Sequence, residues 1–425
     1  MKIDRLVDAA APAFPTADKT MARLDLDQVR AEFPGLASDW TFLDNAGGSM
    51  VLRRVADRVR DYLLTSSMQP GASYAPSQAV AERLLAARRS VAELINAAHD
   101  DEVVMGGSST GLVFMLTQAI LPGIAAGDEI IVTDTDHEAN IGSWMNLRRA
   151  GAVIKVWGVS RDSLALELDD LDGLLSPRVR WVAMTQASNV LGTVNPVEAV
   201  ASRVHAAGGR LFVDAAAYAP HRLVDVQASG ADACVFSFYK VFGPHQAALW
   251  GRRELLQALP GLDRQDLDPE ALQPGGQNHE LSYGCIGISD YLQAIGSSLG
   301  AGGDARQRMQ AAFDAFEQHE DLLAERLLSF LRGKRNVRII GLPTVRGRRR
   351  LPTISFTVSG QLSQDIVRHV DRFRIGIHFG DFHARRLIEA LGLEVQGGVV
   401  RVSMAHYNTL DEIDRLVRHL DQIIA

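Results

Sequence analysis

Lys240 lies in the segment FSFYKVFGPH, among Phe236, Phe238, Tyr239, Val241 and Phe242. Apolar runs of this kind are usually buried on folding, and a buried ammonium ion is costly unless it is paired or neutralised. Asp214, in LFVDAAA, lies 26 residues upstream, a spacing that suits neighbouring strands with a helix between them. An amine that attacks an aldehyde, with an acid facing a pyridinium nitrogen, is the pair that pyridoxal phosphate chemistry needs. Desolvation lowers a lysine's pKa and leaves its amine free. The same two residues also fit a lysine snorkelling from a packed strand end and an aspartate capping a helix.

The surrounding elements must put both residues at one place. The runs EVVMGG, EIIVTDTD, AVIKVWGV, VRWVAMTQ, GRLFVDAAA and ADACVFSF predict short buried strands between about residues 80 and 250. Segments such as VAERLLAARRSVAELINA and PVEAVASRVHAAG predict helices in the same region. Alternating strands and helices predict an α/β fold with a mostly parallel sheet. Ligands on such sheets collect at the carboxyl ends of the strands, where Asp214 and Lys240 both fall. ALPGLDRQDLDPEALQPGGQNHE, near 255–280, predicts a long functional loop. A helical stretch over about 286–333 follows. The strands NVRIIGL, PTISFTV, FRIGIHFG and GVVRVSMA then alternate with the helices LSQDIVRHVDR and TLDEIDRLVRHLDQII. The expected organisation is a large domain over 36–304 and a small α+β domain over 305–425, with residues 1–35 packing against the small one.

Three further motifs sit after strands or at helix starts. MGGSSTG places hydroxyls at a helix N-terminus, which suits a phosphate or a plain helix cap. His137, in DTDHEANIGSW, suits stacking on a ring or an ordinary loop position. Asn189, in QASNVLGT, suits donation to a phenolate oxygen or a turn.

The chain of 425 residues is long enough for two lobes. A net charge of -7 argues against a nucleic-acid footprint, which would be basic. Two cysteines, Cys234 and Cys285, exclude a disulfide framework and suit a reducing compartment. MKIDRLVDAAAPAFP lacks the apolar region of a signal peptide, and no run approaches a membrane span. A cytoplasmic protein without membrane or nucleic-acid partners is expected.

In order, SST, DHEAN, SNVLGT, VDAA and SFYK resemble the class V aminotransferase family, in its cysteine desulfurase-like branch. The resemblance runs from FLDNAGGS to GGVVRVSMAHYNTLDEID. It implies the pyridoxal 5'-phosphate-dependent fold type I, with a mostly parallel seven-stranded sheet in the large domain and a homodimer sharing its active sites. Lys240 would be the Schiff-base lysine and Asp214 the pyridinium partner. His137 would stack on the ring and assist proton transfer, and Asn189 would bond the ring oxygen. Ser109, Thr110, Ser237 and Tyr239 would hold the phosphate, where many relatives have histidine in place of Tyr239. Gly276 and Gln277 would reach the phosphate of the partner subunit. Arg401 would clamp the substrate carboxylate, and Asn45 and Ala46 would line the substrate pocket.

Two departures matter. Cysteine desulfurases carry a mobile cysteine in the loop before the last arginine strand. Here that loop is FGDFHARRL, and His383, preceded by Phe382, holds the matching place. Neither Cys234 nor Cys285 matches, and persulfide chemistry needs a thiolate. Relatives often have glutamine or histidine where Ala217 stands. The expected function is amino-acid chemistry of lyase or desulfhydrase type, by β-elimination, without persulfide formation. His383 or His378 would serve as acid or base in place of the thiol. The alternatives are transamination of a small amino acid, racemisation, and a catalytically silent binding protein.

Overall fold

The computed structural model describes residues 24–259, 272, 276–345, 347 and 349–424. Residues 1–23 of the expected N-terminal segment, and most of the expected loop near 255–280, lie outside these.

The strands, in chain order, are β1 (Thr41–Phe42), β2 (Val103–Gly106), β3 (Glu129–Thr133), β4 (Val153–Trp157), β5 (Val179–Thr185), β6 (Arg210–Asp214), β7 (Ala233–Ser237) and β8 (Ala247–Gly251), followed by β9 (Val337–Ile340), β10 (Thr353–Val358), β11 (Ile375–Gly376), β12 (His378–Gly380) and β13 (Val399–Ser403). Seven form one sheet in the order β2-β8-β7-β6-β5-β3-β4. Every pairing in it is parallel except those of β8, which runs antiparallel to both neighbours. β7 and β8 are buried along their whole length, as strands covered on both faces must be. The six strands read from the sequence are β2 to β7. β8 was not among them, because AALWG is a five-residue apolar run with no helix to separate it from the Lys240 turn.

β9, β10, β12 and β13 form a four-stranded antiparallel sheet. The segment FRIGIHFG, expected as one strand, divides. Ile375 and Gly376 pair in parallel with Thr41 and Phe42, while His378–Gly380 joins the four-stranded sheet. The expected helical stretch over 286–333 also divides, into Ile286–Ser298 and Ala305–Arg332. Gly300 and Gly303 between them have φ of 83° and 85°, a region open to glycine at little cost. Asp304 and Gln307 then close a capping box on the second helix.

Helix Ala305–Arg332 belongs to two cores. Met309, Ala312, Phe313 and Phe316 pack in the cluster that holds Val213, Phe236 and Phe242. Leu323, Leu327 and Leu331 pack with Ile354, Phe356 and Val402 under the small sheet. One rigid helix thereby fixes the small sheet against the strand ends that carry Asp214 and Lys240. The described part of the N-terminal segment touches both regions. Val29 and Phe33 enter the first core, and Arg30 donates to Tyr407 O at 2.7 Å and pairs with Glu412 at 3.1 Å.

Candidate active site

The parallel strands end at a partly open cleft. Ser109, Thr110, His137, Asn189, Asp214, Tyr239 and Lys240 line it, together with Ala217. Seven residues singled out from distant parts of the sequence are therefore brought to one place.

Asp214 is the last residue of β6, and Lys240 ends the short turn after β7. Both are buried. Burial pushes the Lys240 amine down to about 8, against the opposing pull of Asp214. Burial also raises the Asp214 carboxyl, which accepts a hydrogen bond from Ala216 N at 2.9 Å and faces Lys240. Phe242, two residues after the lysine, has φ of 61° and is fully buried. A bulky residue in the left-handed region is strained, and its surroundings hold it there. Phe242 N donates to Ser49 Oγ at 2.9 Å, and Leu52 N donates to Phe242 O at 3.0 Å.

His137 caps helix Glu138–Met145, its Nδ1 accepting from Ala139 N at 3.0 Å. That bond leaves the proton on Nε2. Burial, then the charge of Lys240, pushes the ring down to about 4, so it is neutral near pH 7. Asp136, beside it, is buried against Thr133, Asn140 and Thr185, and burial raises it to about 7. Ser109 and Thr110 open helix Ser109–Ile120, where Ser108 caps Gly111 N. Ser237, behind the cleft, donates to Ser109 Oγ at 3.0 Å. Tyr239 stacks on His245 with centroids 5.1 Å apart.

Asn189 is held by the turn of SNVLGT. Gly192 there has φ of 69°, and a Cβ would collide with the carbonyl of Thr353. The turn that carries Asn189 thus packs directly on the small sheet. Asn189 Nδ2 donates to Phe382 O at 2.9 Å, and its second amide hydrogen remains for the cleft.

Phe382 and His383 form a strap along the cleft wall, with φ of 54° and 58°. His383 O accepts from Glu138 N at 2.7 Å, and the His383 ring lies 4.9 Å from that of His137. His378 is exposed on β12 and reaches the strap through its contact with Phe382, at 5.3 Å. Arg401, central in β13, lies under the Phe382 ring, its guanidinium carbon 3.7 Å from the ring centroid. Arg401 donates to Asn189 O at 3.2 Å and to Asp44 Oδ1 at 2.9 Å.

Asn45 and Ala46, expected in the substrate pocket, also bond to the end of β13 and the turn after it. Asn45 bonds Ser403 O at 2.8 Å, Asn408 Oδ1 at 3.1 Å and the Tyr407 hydroxyl. Ala46 N donates to Ser403 Oγ at 2.8 Å. Both tie the N-terminal turn to the end of β13. Gly276 and Gln277 are not brought to the cleft, and open space surrounds Gly276. Sequence reasoning missed Asp44, Asp136, Thr185 and the contact face of Phe382. Only Asp44 and Asp136 carried a signal, as carboxylates one residue before Asn45 and His137.

The Aminotransferase class-V family model matches residues 41–416. "Aminotransferase-like protein FGM3" of Gibberella zeae is 37% identical, over 94% of this chain and 98% of its own. "Cysteine desulfurase-like protein ustD" of Aspergillus flavus is 31% identical, over 94% and 91%. The crystal structure of the Escherichia coli cysteine desulfurase CsdA superposes with a TM-score of 0.80 at 27% identity, covering 94% of this chain and 98% of that one. The fold is thus the α/β fold type I of pyridoxal phosphate enzymes. The chain belongs to the class V aminotransferase family, and it is a pyridoxal phosphate-dependent enzyme of that family's cysteine desulfurase-like kind. The cleft suits this cofactor. It holds a buried amine, a buried carboxylate that a cationic ring nitrogen would neutralise, and hydroxyls at a helix N-terminus for a phosphate.

Proposed function

We propose that this enzyme is a lyase that eliminates a β substituent, such as a thiol or sulfide, from an amino acid without forming a protein persulfide. The carrying observation is the buried Lys240 amine, lowered to about 8, opposite the buried Asp214 in a cleft that no cysteine lines. The chain has two cysteines. Both are buried in the core, and burial pushes both thiols well up. A thiolate nucleophile is disfavoured at either position.

Pyridoxal phosphate, when bound, supplies an electron sink that weakens bonds at the α carbon of an amino acid. Lys240, Asp214, Asn189 and His137 would hold its ring, and Ser109, Thr110, Ser237 and Tyr239 its phosphate. Lys240 Nζ, lowered to about 8 and so about one-tenth free amine at pH 7, takes the α proton. Asp214 keeps a negative charge at the far side of the cleft. His137, neutral and fixed in one tautomer, offers a flat face and an Nε2 hydrogen. Arg401 receives the substrate carboxylate. Its Nε is buried and, among the described residues, lacks a hydrogen-bond partner. His383, exposed and with its ring tilted against that of His137 at 4.9 Å, exchanges a proton with the leaving group.

A homodimer fits this reading. Val51, Leu63 and Leu64 expose an apolar face beside Pro244, His245 and Leu281. His245 stacks on Tyr239 at the cleft, so a second copy docked here would bring Gly276 and Gln277 toward its neighbour's site. No helix among the described residues is long and apolar enough to cross a membrane. Transamination is the second reading, favoured by the aminotransferase-like name of the 37% identical relative.

The test is the visible spectrum of the purified protein with pyridoxal phosphate, titrated with amino acids, wild type beside Lys240→Ala. A band that shifts with one amino acid, followed by release of sulfide or another β group with keto acid, supports elimination. Amino-group transfer to a keto acid acceptor selects transamination. A wild type that takes up no pyridoxal phosphate sinks both.

A further inference from the structure

Arg401 is the buried member of an ion pair, at 3% side-chain exposure, and its partner Asp44 is at 24%. The guanidinium cannot reach water, and a buried guanidinium without a counter-charge is strongly disfavoured. Asp44 holds it by Oδ1 at 2.9 Å. Asn189 supplies only a carbonyl, and Phe382 only a ring face. Asp44 lies in the N-terminal turn, bridged through its backbone to Ser403, the last residue of β13. Its side chain is the partly exposed member of the pair, so leaving Arg401 requires rotation about side-chain bonds and no backbone movement. The carboxylate of an amino acid is chemically the same group as the side chain of Asp44, and both seek the same donors.

We propose that Asp44 is a resident stand-in for the substrate carboxylate, neutralising Arg401 until an amino acid's carboxylate takes its place. This rests on the proposed reading of Arg401 as the carboxylate site. Binding is then an exchange of one carboxylate for another on a guanidinium that never loses its counter-charge. Phe382, which covers the same guanidinium at 3.7 Å, must shift with the exchange. Its position on a strap of two left-handed residues gives that shift a source in released backbone strain. Asp44 is therefore a specificity-determining residue. It lowers the affinity for every carboxylate ligand and leaves ligands without a carboxylate unopposed.

The experiment uses the pyridoxal phosphate-loaded protein and two probes, 2-aminoisobutyrate and its amide. Neither has an α proton or a β leaving group, so elimination cannot consume them. Calorimetric titration of wild type and Asp44→Asn is expected to show tighter binding of the acid by about tenfold in the variant. The amide is expected to bind no more tightly. A crystal structure of the acid complex is expected to show Asp44 turned away from Arg401. Equal or weaker binding of the acid by the variant would overturn the proposal and make Asp44 a residue that positions Arg401. So would a complex in which Asp44 still holds Arg401. Asp44→Ser is the second variant if Asp44→Asn does not fold. The cofactor's visible absorbance in the same wild-type sample reports on the proposed function separately. Its absence sinks that reading, whereas its presence with no gain of affinity sinks only this one.

Discussion

Lys240 and Asp214 stand at the ends of adjacent strands whose residues are almost all buried, whereas Phe382 and His383 stand on a four-residue connection between β12 and helix Arg385–Leu391. The first pair is fixed by sheet hydrogen bonds and core packing on both faces. The second is fixed by three hydrogen bonds, from Asn189, from Glu138 and from His383 N to Asp381, and by aromatic contacts with Arg401, His137 and His378. Reactive groups common to many reactions need rigid placement. Groups that distinguish substrates lie where the chain can change without unfolding the core. On the proposed reading, the cleft floor holds the reacting groups rigidly, and the strap holds groups whose placement rests on few contacts.

The largest effect belongs to the floor. Lys240→Ala is expected to lower kcat on the order of 10⁴-fold, with the melting temperature unchanged or raised because a buried amine is removed. Steady-state kinetics beside a thermal melt check both parts. A variant that keeps a tenth of the wild-type rate would take Lys240 out of the proton-transfer role.

Asp214→Asn follows, with a loss of about 10²-fold in kcat, and pH sharpens it. The Lys240 amine, at about 8, is mostly protonated below that pH and mostly free above it. The rate at which cofactor-free protein takes up pyridoxal phosphate is thus expected to rise with pH to about 8 and then level off. A solvated lysine would keep rising to about 10. Asp214 raises the pKa of Lys240, so Asp214→Asn moves the levelling-off to lower pH. Stopped-flow absorbance across pH 6–10 reads the midpoint, and a shift to higher pH in the variant contradicts the pairing.

The two regions also differed in what the sequence revealed. Strand runs from EVVMGG to ADACVFSF were legible because a doubly covered parallel strand is an unbroken apolar segment, and the functional residues follow such segments directly. The division of FRIGIHFG was not legible. Both halves have strand composition, and only the three-dimensional position of Thr41–Phe42 decides that Ile375–Gly376 leaves the small sheet. Asn45 was placed in the substrate pocket by resemblance, and its amide also bonds Ser403, Asn408 and Tyr407, contacts more than 350 residues away in sequence. The pairing of Asp44 with Arg401 spans 357 positions, and no local pattern announces it.

Asn189→Ala tests whether the strap is latched as weakly as its few contacts imply. Losing one neutral hydrogen bond removes about 1 kcal/mol, so the Glu138 amide that bonds His383 O is expected to exchange with deuterium about fivefold faster. The amides of β6 and β7 should keep their protection. Equal acceleration in those strands would mean that strap and floor open as one unit.

The smallest expected effect is the most informative about the reaction. Cys234 packs in β7 and Cys285 ends helix His279–Gly284, both in the core. A Cys234→Ala/Cys285→Ala double variant loses two buried sulfur atoms and is expected to lose about 1–2 kcal/mol of stability per site. Its cleft is untouched, because neither residue lines it. Turnover below the melting transition should stay within about twofold of wild type. If the folded double variant is inactive while pyridoxal phosphate still binds, a thiol takes part in the reaction and the persulfide-free reading fails. If activity persists, sulfur handling does not pass through a cysteine of this chain, and proton transfer at the leaving group falls to the strap, where the His383 ring packs against His137.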